Sequence, residues 1–214
     1  MKKLFISLMI AVSTLFLIIP LGMGDDWEYW QRLSLTIPVS ERLSIGVTPT
    51  ELRFHHANDL YYVKIYLGGS YKVSDNFSAG IYYSRKTVEK GGGWQGENIL
   101  YFDAVPKVKL GDFALSNRFR VGRLFATSSF EIRNLTKLAH PKILWGRKFT
   151  LFVADEIFYY TKGTGFKENR FYLGGSTALG KGFSLELSYL FKYVKKVDSW
   201  ERFHIIISNI KYSF

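Results

Sequence analysis

The strongest constraint on the fold is an alternation of apolar and polar residues that runs through most of the chain after residue 25. In the stretch FSLELSY, Phe183, Leu185 and Leu187 alternate with Ser184 and Glu186. Successive side chains of a β-strand point to opposite faces, so the pattern predicts strands with one apolar and one polar face. Aromatic residues, which favour strands, make up 17% of the sequence. An all-β fold is therefore predicted.

About eleven such segments are predicted, and most of them are ten or more residues long. They lie near 26–38, 43–54, 61–73, 77–88, 98–109, 112–124, 128–138, 148–160, 169–179, 183–193 and 202–214. Strands of this length exceed those of typical soluble sheets and match a tilted strand that crosses a bilayer. Short turns such as 74–76 alternate with longer polar stretches such as 89–97 and 161–168. This arrangement is typical of bacterial outer-membrane barrels.

A sheet placed in hydrocarbon must close, because each unpaired edge N–H or C=O group would cost several kcal/mol. We therefore predict a transmembrane, antiparallel up-and-down β-barrel over residues 25–214, with apolar residues facing lipid and polar residues facing the lumen. Single-chain bacterial barrels usually have an even number of strands, so about twelve strands are expected and ten are the alternative. A soluble β-barrel that binds a small lipid is a further alternative, because alternation does not say which face is inside.

The first 24 residues have the organisation of a cleaved signal peptide. Lys2 and Lys3 precede an apolar run at 4–19, and small residues at 22–24 follow it. An uncleaved membrane anchor is the alternative, since the apolar run is close to the length that spans a bilayer. Cleavage removes two of 29 basic residues and leaves 27 against 18 acidic ones, a net charge of +9. Export and a barrel together predict the outer membrane.

Charged residues on the polar faces of the strands are the candidate functional residues. The expected lumen-lining charges are Arg118, Arg120, Arg133, Glu156, Arg170 and Glu186. They could select anions, as charged rings do in pores, and arginine outnumbers acid in the set. Alternatively they form a network of ion pairs that plugs and rigidifies the barrel, because buried charges need partners.

The sequence offers little support for an enzyme. His204 and Ser208 share one face, but each residue of a strand advances ~3.3 Å, so four positions separate a nucleophile from its base by too much. A lipid-modifying hydrolase therefore stands only as an alternative to a channel or a plugged barrel. The adjacent His55 and His56 are expected in a solvated loop, since no carboxylate or thiolate spacing surrounds them. The chain has no cysteine. No metal and no cofactor are expected.

Basic residues of the longer connections suggest a lipid partner. Lys162, Lys167, Lys195, Lys196 and Arg202 lie in or beside them. The phosphates of an anionic outer-leaflet glycolipid would bind there, and an ordinary solvated loop surface is the alternative. Nucleic acid is not expected, because the basic residues are spread over the whole chain.

Several motifs resemble the family labelled domain of unknown function 2490. They are LSNRFRVGR at 115–123, FVADEIFYY at 152–160 and NRFYLGGS at 169–176, together with Trp27 and the terminal Phe214. The likeness covers nearly all of the chain after the signal peptide. It implies a bacterial outer-membrane β-barrel with no established activity.

The last strand is also similar to the C-terminal signal of outer-membrane barrels. Ile210, Tyr212 and Phe214 occupy alternate positions at the end of the chain. The similarity implies that the barrel-assembly machinery recognises these three residues. Otherwise they only face lipid, and both interpretations place the protein in the same membrane.

Overall fold

A computed structural model describes residues 27–55, 59–144, 147–163, 165–196 and 199–214. Within these ranges the chain forms a closed barrel of eleven strands. They are β1 (Trp27–Pro38), β2 (Leu43–His55), β3 (Asp59–Ser74), β4 (Phe77–Lys90), β5 (Gly93–Leu110), β6 (Phe113–Leu124), β7 (Ser129–Leu144), β8 (Arg147–Tyr160), β9 (Phe166–Gly180), β10 (Phe183–Lys195) and β11 (Trp200–Ser213). The predicted signal peptide at 1–24 lies outside the described residues. No helix in the described ranges is long and apolar enough to span a membrane.

Each strand pairs with its neighbours in sequence, and the barrel closes between β1 and β11. All sequential pairs are antiparallel, whereas β1 and β11 run parallel from Trp27 opposite His204 to Thr36 opposite Ser213. Parallel closure follows from an odd number of alternating strands, because the first and last then point the same way. The predicted all-β closed barrel is confirmed, and eleven strands agree with the expected size of about twelve. The first predicted segment forms β1 from Trp27 onward, and β1 is a strand of the barrel wall.

The two ends of the barrel differ in their connections. At one end, here called the turn end, β3–β4, β5–β6 and β9–β10 are joined by two residues each, and β1–β2 by four. The other end, here called the loop end, carries connections such as 125–128 and 161–165. The stretch 89–97 was expected to be a long loop, and this was wrong. Only Gly91 and Gly92 turn there, with φ of 59° and 80°, a region that glycine adopts without steric cost.

The wall has an apolar outer face and a polar inner face. Phe102 and Leu173 on the outside are 53% and 55% exposed, whereas Arg120 and Glu156 on the inside are 4% and 3% exposed. A soluble barrel with an apolar lipid cavity would need the reverse arrangement, since apolar side chains gain free energy by leaving water. The barrel therefore exposes its apolar face to the surroundings and buries its polar face.

A bulge in β2 changes which residues face the lumen. Pro49 has no partner in the register of β2 with either β1 or β3, and both registers shift beside it. Proline cannot donate a ladder hydrogen bond, so a bulge is a position it tolerates. Before the bulge even-numbered residues such as Thr48 face inward, and after it Glu51 and Arg53 do. The bulge thus places two more charges in the lumen.

Candidate functional site in the barrel lumen

The lumen is filled by large side chains at the loop end. We call this region the loop-end plug and define it by six inward side chains that are at most 1% exposed: Trp30, Ile99, Tyr101, Phe158, Leu190 and Ile205. They belong to β1, β5, β8, β10 and β11, and all but Phe158 form parts of two apolar clusters with neighbours such as Leu124 and Ile207. One cluster lies on β1, β10 and β11 and the other on β5 and β6, so each fills the lumen beside its own part of the wall.

Arginine side chains stack between the aromatic rings of the plug. The Arg53 guanidinium carbon lies 3.7 Å from the ring centre of Trp30 and 3.9 Å from that of Tyr62. The Arg170 guanidinium lies 4.3 Å from the Phe158 ring and 5.0 Å from the Trp30 ring. Cation–π contacts of this kind gain strength when water is excluded. They tie β1, β2, β3, β8 and β9 together.

A buried carboxylate completes the polar part of the plug. Glu28 is 3% exposed and accepts hydrogen bonds from Trp30 Nε1 at 2.8 Å, Tyr61 Oη at 2.6 Å and Lys192 Nζ at 3.0 Å. A buried carboxylate is tolerated when it is paired and its oxygens are hydrogen-bonded. These bonds connect β1 to β3 and to β10, each two strands away around the wall.

The six predicted lumen charges all lie inside the barrel, and Arg120, Arg133 and Arg170 have acidic partners on a neighbouring or the same strand. Arg120 makes a two-pronged bond to Asp103 on β5, with Nε and Nη2 each 2.6 Å from a carboxylate oxygen. Arg133 donates from Nε to Glu131 at 2.5 Å and from Nη2 to Tyr101 Oη at 3.0 Å. Both acidic partners escaped the sequence analysis.

The other four predicted charges form two groups. Glu156 stands opposite Arg170 in the register of β8 and β9, with 3.9 Å between Nη1 and Oε2, and accepts from Arg118 Nη2 at 2.8 Å. Glu186 lies 2.7 Å from Lys211 Nζ and 3.7 Å from Lys137 Nζ. Each of the two carboxylates is therefore shared by two cations.

Glu51 is a buried carboxylate beside three cations and was not predicted. It is 2% exposed and lies 3.1 Å from Arg32 Nε, 2.7 Å from Arg53 Nη2 and 4.0 Å from Lys64 Nζ. Strict alternation from Leu43 onward would place Glu51 on the outer face. The sequence signal that could have found it is Pro49, since a proline within a strand indicates a bulge.

A cavity of about 240 Å³, here called the chamber, lies next to the plug on its turn-end side. Its lining carries three carboxylates, Glu51, Glu156 and Glu186, and more than twice as many cations: Arg32, Arg53, Lys64, Arg118, Arg120, Arg133, Lys137 and Arg170. With Lys211 and the remaining paired acids, Asp103, Glu131 and Glu168, nine cations face six carboxylates in ion pairs. The difference is three positive charges.

Small polar residues line the turn end of the lumen. A second cavity of about 340 Å³ is bordered there by Ser44, Ser70, Ser78, Lys72 and Lys107. Serine side chains are too short to reach across a barrel of eleven strands, so they leave a space in the lumen. The lumen is therefore filled by side chains at the loop end and contains a cavity at the turn end.

The sequence matches the family described as "Protein of unknown function (DUF2490)" over residues 27–203. The chain belongs to this family. The match runs from the first residue of β1 into β11 and confirms the membership expected from the motifs at 115–123, 152–160 and 169–176. No curated protein and no solved structure matches the chain.

On the outer face of this DUF2490 barrel, the candidate catalytic residues bind tyrosines. Ser208 Oγ lies 2.5 Å from Tyr29 Oη, and His204 Nδ1 lies 2.5 Å from Tyr189 Oη. Ser208 is also 1% exposed. The histidine and the serine thus engage separate partners, and the geometry places no base at the hydroxyl.

The other histidines of the DUF2490 barrel lie in ordinary structural surroundings. The His55 ring stacks on Tyr61 at 3.9 Å between ring centres, while His56 is outside the described residues. His140 lies within β7, and its ring stacks on Phe113 at 4.5 Å between ring centres. Among the residues that the structure describes, no three histidine or acidic side chains are grouped as metal ligands.

The C-terminal residues of the DUF2490 barrel lie on its outer face at the turn end. The Tyr212 ring contacts Phe183 at 4.5 Å and Phe214 at 4.7 Å between ring centres. Phe214 is 66% exposed and its N–H donates to the Thr36 carbonyl at 3.1 Å, whereas Ile210 is 6% exposed. Their role in assembly remains a prediction.

The basic residues near the loop end have partners within the barrel. Lys162 Nζ donates to the Thr127 carbonyl at 3.1 Å, and Lys196 Nζ lies 3.3 Å from Glu201. Lys167 and Arg202 lie 5.2 and 5.7 Å from the rings of Tyr160 and Tyr193, and Lys195 ends β10. The five residues are distributed around the rim of the wall.

Proposed function

We propose that this DUF2490 protein is a bacterial outer-membrane β-barrel whose lumen is closed by the loop-end plug. The observation that carries the proposal is the combination of an apolar outer face with a packed, ion-paired interior. Short turns of such barrels face the periplasm, so the turn end with Phe214 faces the periplasm and the loop end faces outward. In this orientation the plug lies towards the outside of the cell.

A closed barrel is favoured over an open channel because side chains from strands up to three apart around the wall meet in the plug, as Arg170 of β9 and Trp30 of β1 do at 5.0 Å. Each ion pair at its centre is also held by hydrogen bonds or aromatic rings, and breaking such a buried pair costs several kcal/mol. We infer a role without chemical catalysis, since Ser208 and His204 bind separate tyrosines. The proposed partners are anionic glycolipid at the loop-end rim and the barrel-assembly machinery at the C-terminus.

A narrow anion channel is the second candidate, and the surplus of positive charge around the chamber favours it. An anion channel would conduct only if the plug moved out of the lumen. A closed barrel needs no such movement. The discriminating residue is Trp30, which contacts Arg53 and Arg170 at the centre of the plug.

The test combines gel migration with electrical recording. Folded outer-membrane barrels resist detergent until heated, so the refolded protein should migrate differently before and after heating. The same sample inserted into planar bilayers should pass no current, and Trp30→Ala should pass discrete current steps. A wild-type protein that conducts in discrete steps would favour the channel, and a protein that folds without detergent would rule out a membrane barrel.

A further inference from the structure

We propose that the chamber is a binding site for a phosphate-type oxyanion that enters from the turn end. The inference rests on the closed barrel proposed above and gives it a ligand. A barrel that is closed at one end can hold a solute without conducting it.

Uncompensated positive charge is the first argument. Around the chamber nine cations face six carboxylates in ion pairs, and three of the carboxylates are shared by two or three cations each. Charge inside a barrel wall is poorly screened by salt compared with charge on a surface. The acidic residues of the protein do not balance this positive charge. An anion bound in the chamber would neutralise part of it.

The second argument is a buried donor that lacks a protein partner. Arg118 donates from Nη2 to Glu156 at 2.8 Å, but its Nε is buried and has no hydrogen-bond acceptor among the described residues. A buried donor without a hydrogen bond is destabilising, and more so when it carries a charge. Arg118 lines the chamber, so a rotation of its guanidinium group would present Nε–H to an oxyanion bound there.

The lining also fits the chemistry of a phosphate group. Guanidinium groups bind phosphate and carboxylate oxygens in pairs, and six of the eight cations of the lining are arginines. Hydroxyls of Thr48, Ser188 and Tyr66 on the same lining supply neutral donors. A phosphate group carries close to two negative charges and three strong acceptor oxygens, so it compensates more of the surplus than a carboxylate does.

The route to the chamber follows from the sizes of the inward residues. Towards the turn end the lumen is lined by serines such as Ser44, Ser70 and Ser78 around a cavity of about 340 Å³. Towards the loop end it meets Trp30 and Phe158, which are 1% exposed. The ligand therefore enters and leaves on the turn-end side, which is the periplasmic side in the proposed orientation.

The experiment measures binding of inorganic pyrophosphate by isothermal titration calorimetry to the folded protein in a non-ionic detergent. Arg118→Gln and Lys137→Gln each remove one cation, while Glu156 keeps Arg170 and Glu186 keeps Lys211. The wild type should bind saturably, and each variant should bind at least about tenfold more weakly, since a charge-assisted bond contributes about 1.5–3 kcal/mol. Lys90→Gln is the control, because it removes an equal charge from an exposed position at the end of β4.

Titration with a short-chain phosphatidic acid identifies the source of the phosphate group. Binding of this lipid but not of pyrophosphate would assign a lipid headgroup, and the reverse would assign a free anion. Absence of saturable binding of either probe to the folded wild type would overturn the site. Equal weakening by Lys90→Gln would also overturn it, because it would indicate diffuse attraction to net positive charge.

The same samples separate this inference from the closed barrel. Each is checked by heat-dependent gel migration and by recording in planar bilayers. A folded, non-conducting protein that binds no phosphate compound would overturn the site alone. A wild-type current would overturn the closed barrel, and the calorimetric comparison of Arg118→Gln with Lys90→Gln would still decide the site.

Discussion

The two ends of the lumen are surrounded by the same eleven strands and yet differ in what fills them. On β10 the inward residues pass from a half-buried Ser184 at the turn end to Leu190 at the loop end, which is 0% exposed. On β4 they pass from a half-buried Ser78 to Ser84, which is also 0% exposed because large neighbours cover it. The same strands form the wall at both ends. The size of inward side chains therefore decides where this barrel closes.

The largest expected effect comes from Trp30→Ala in the plug. Replacing a buried tryptophan by alanine should lower the free energy of unfolding by about 3–5 kcal/mol, because it leaves a cavity and removes two stacked arginine contacts. Trp94→Ala is the matched control, since Trp94 is 50% exposed, and it should change stability by about 0.5 kcal/mol or less. Urea titration in detergent measures both. Equal effects would show that the loop end is not packed.

Glu51→Gln should have the next largest effect. It leaves Arg32, Arg53 and Lys64 without their shared carboxylate, and breaking buried ion pairs of this kind costs roughly 2–4 kcal/mol where one side opens to a cavity. Adding Lys64→Met should restore part of the loss in a double-mutant cycle. Glu41→Gln in the β1–β2 turn is the control. The same unfolding midpoint for Glu51→Gln and Glu41→Gln would show that the ion pairs of Glu51 do not stabilise the barrel.

Two glycines on inward faces compare the ends directly. A Cβ at Gly122 would lie 2.5 Å from Tyr101 Cε1, whereas a Cβ at Gly46 would meet nothing within 4 Å. Gly122→Ala should therefore destabilise the barrel by about 1–3 kcal/mol through overpacking. Gly46→Ala should be neutral or stabilising by about 0.5–1 kcal/mol, because it restricts the unfolded chain. Thermal unfolding measures the stability of both variants. A Gly122→Ala variant as stable as Gly46→Ala would contradict the difference in packing between the two ends.

The smallest effect concerns a single hydroxyl. Ser84 Oγ is buried and has no hydrogen-bond partner among the described residues. Ser84→Ala should stabilise the protein by about 1 kcal/mol, since it removes an unsatisfied polar group from the plug. Ser78→Ala at the turn end should leave the unfolding midpoint unchanged. A loss of stability in Ser84→Ala would mean that this hydroxyl is satisfied in solution.

Sequence alternation was enough to predict the barrel and its inverted faces, because strand period and strand length are local properties. Departures from alternation carried further information. Trp30 broke the pattern of its strand, and Ile205, Ile206 and Ile207 formed an uninterrupted apolar run. Both features lie where β1 and β11 carry apolar residues on their inner face in addition to their outer face, and this is where these strands contribute to the plug.

The ionic partners that lie two or three strands apart in the lumen could not be predicted. Arg118 reaches Glu156 two strands away, and Lys137 reaches Glu186 three strands away. Such contacts depend on the tilt and stagger of all the strands between them, which a sequence pattern does not specify. The chamber arises from the same long-range geometry. The bulge at Pro49 is the exception, because a proline within a strand is a local signal for it.

Cysteine labelling tests the central claim most directly, since the chain has no cysteine of its own. Ser184→Cys and Leu190→Cys place single thiols on the inner face of β10, one at each end of the lumen. In the folded protein a water-soluble maleimide should label Ser184→Cys rapidly and should label Leu190→Cys only after heat denaturation. Equally rapid labelling of both thiols in the folded barrel would contradict a lumen that is closed at its loop end.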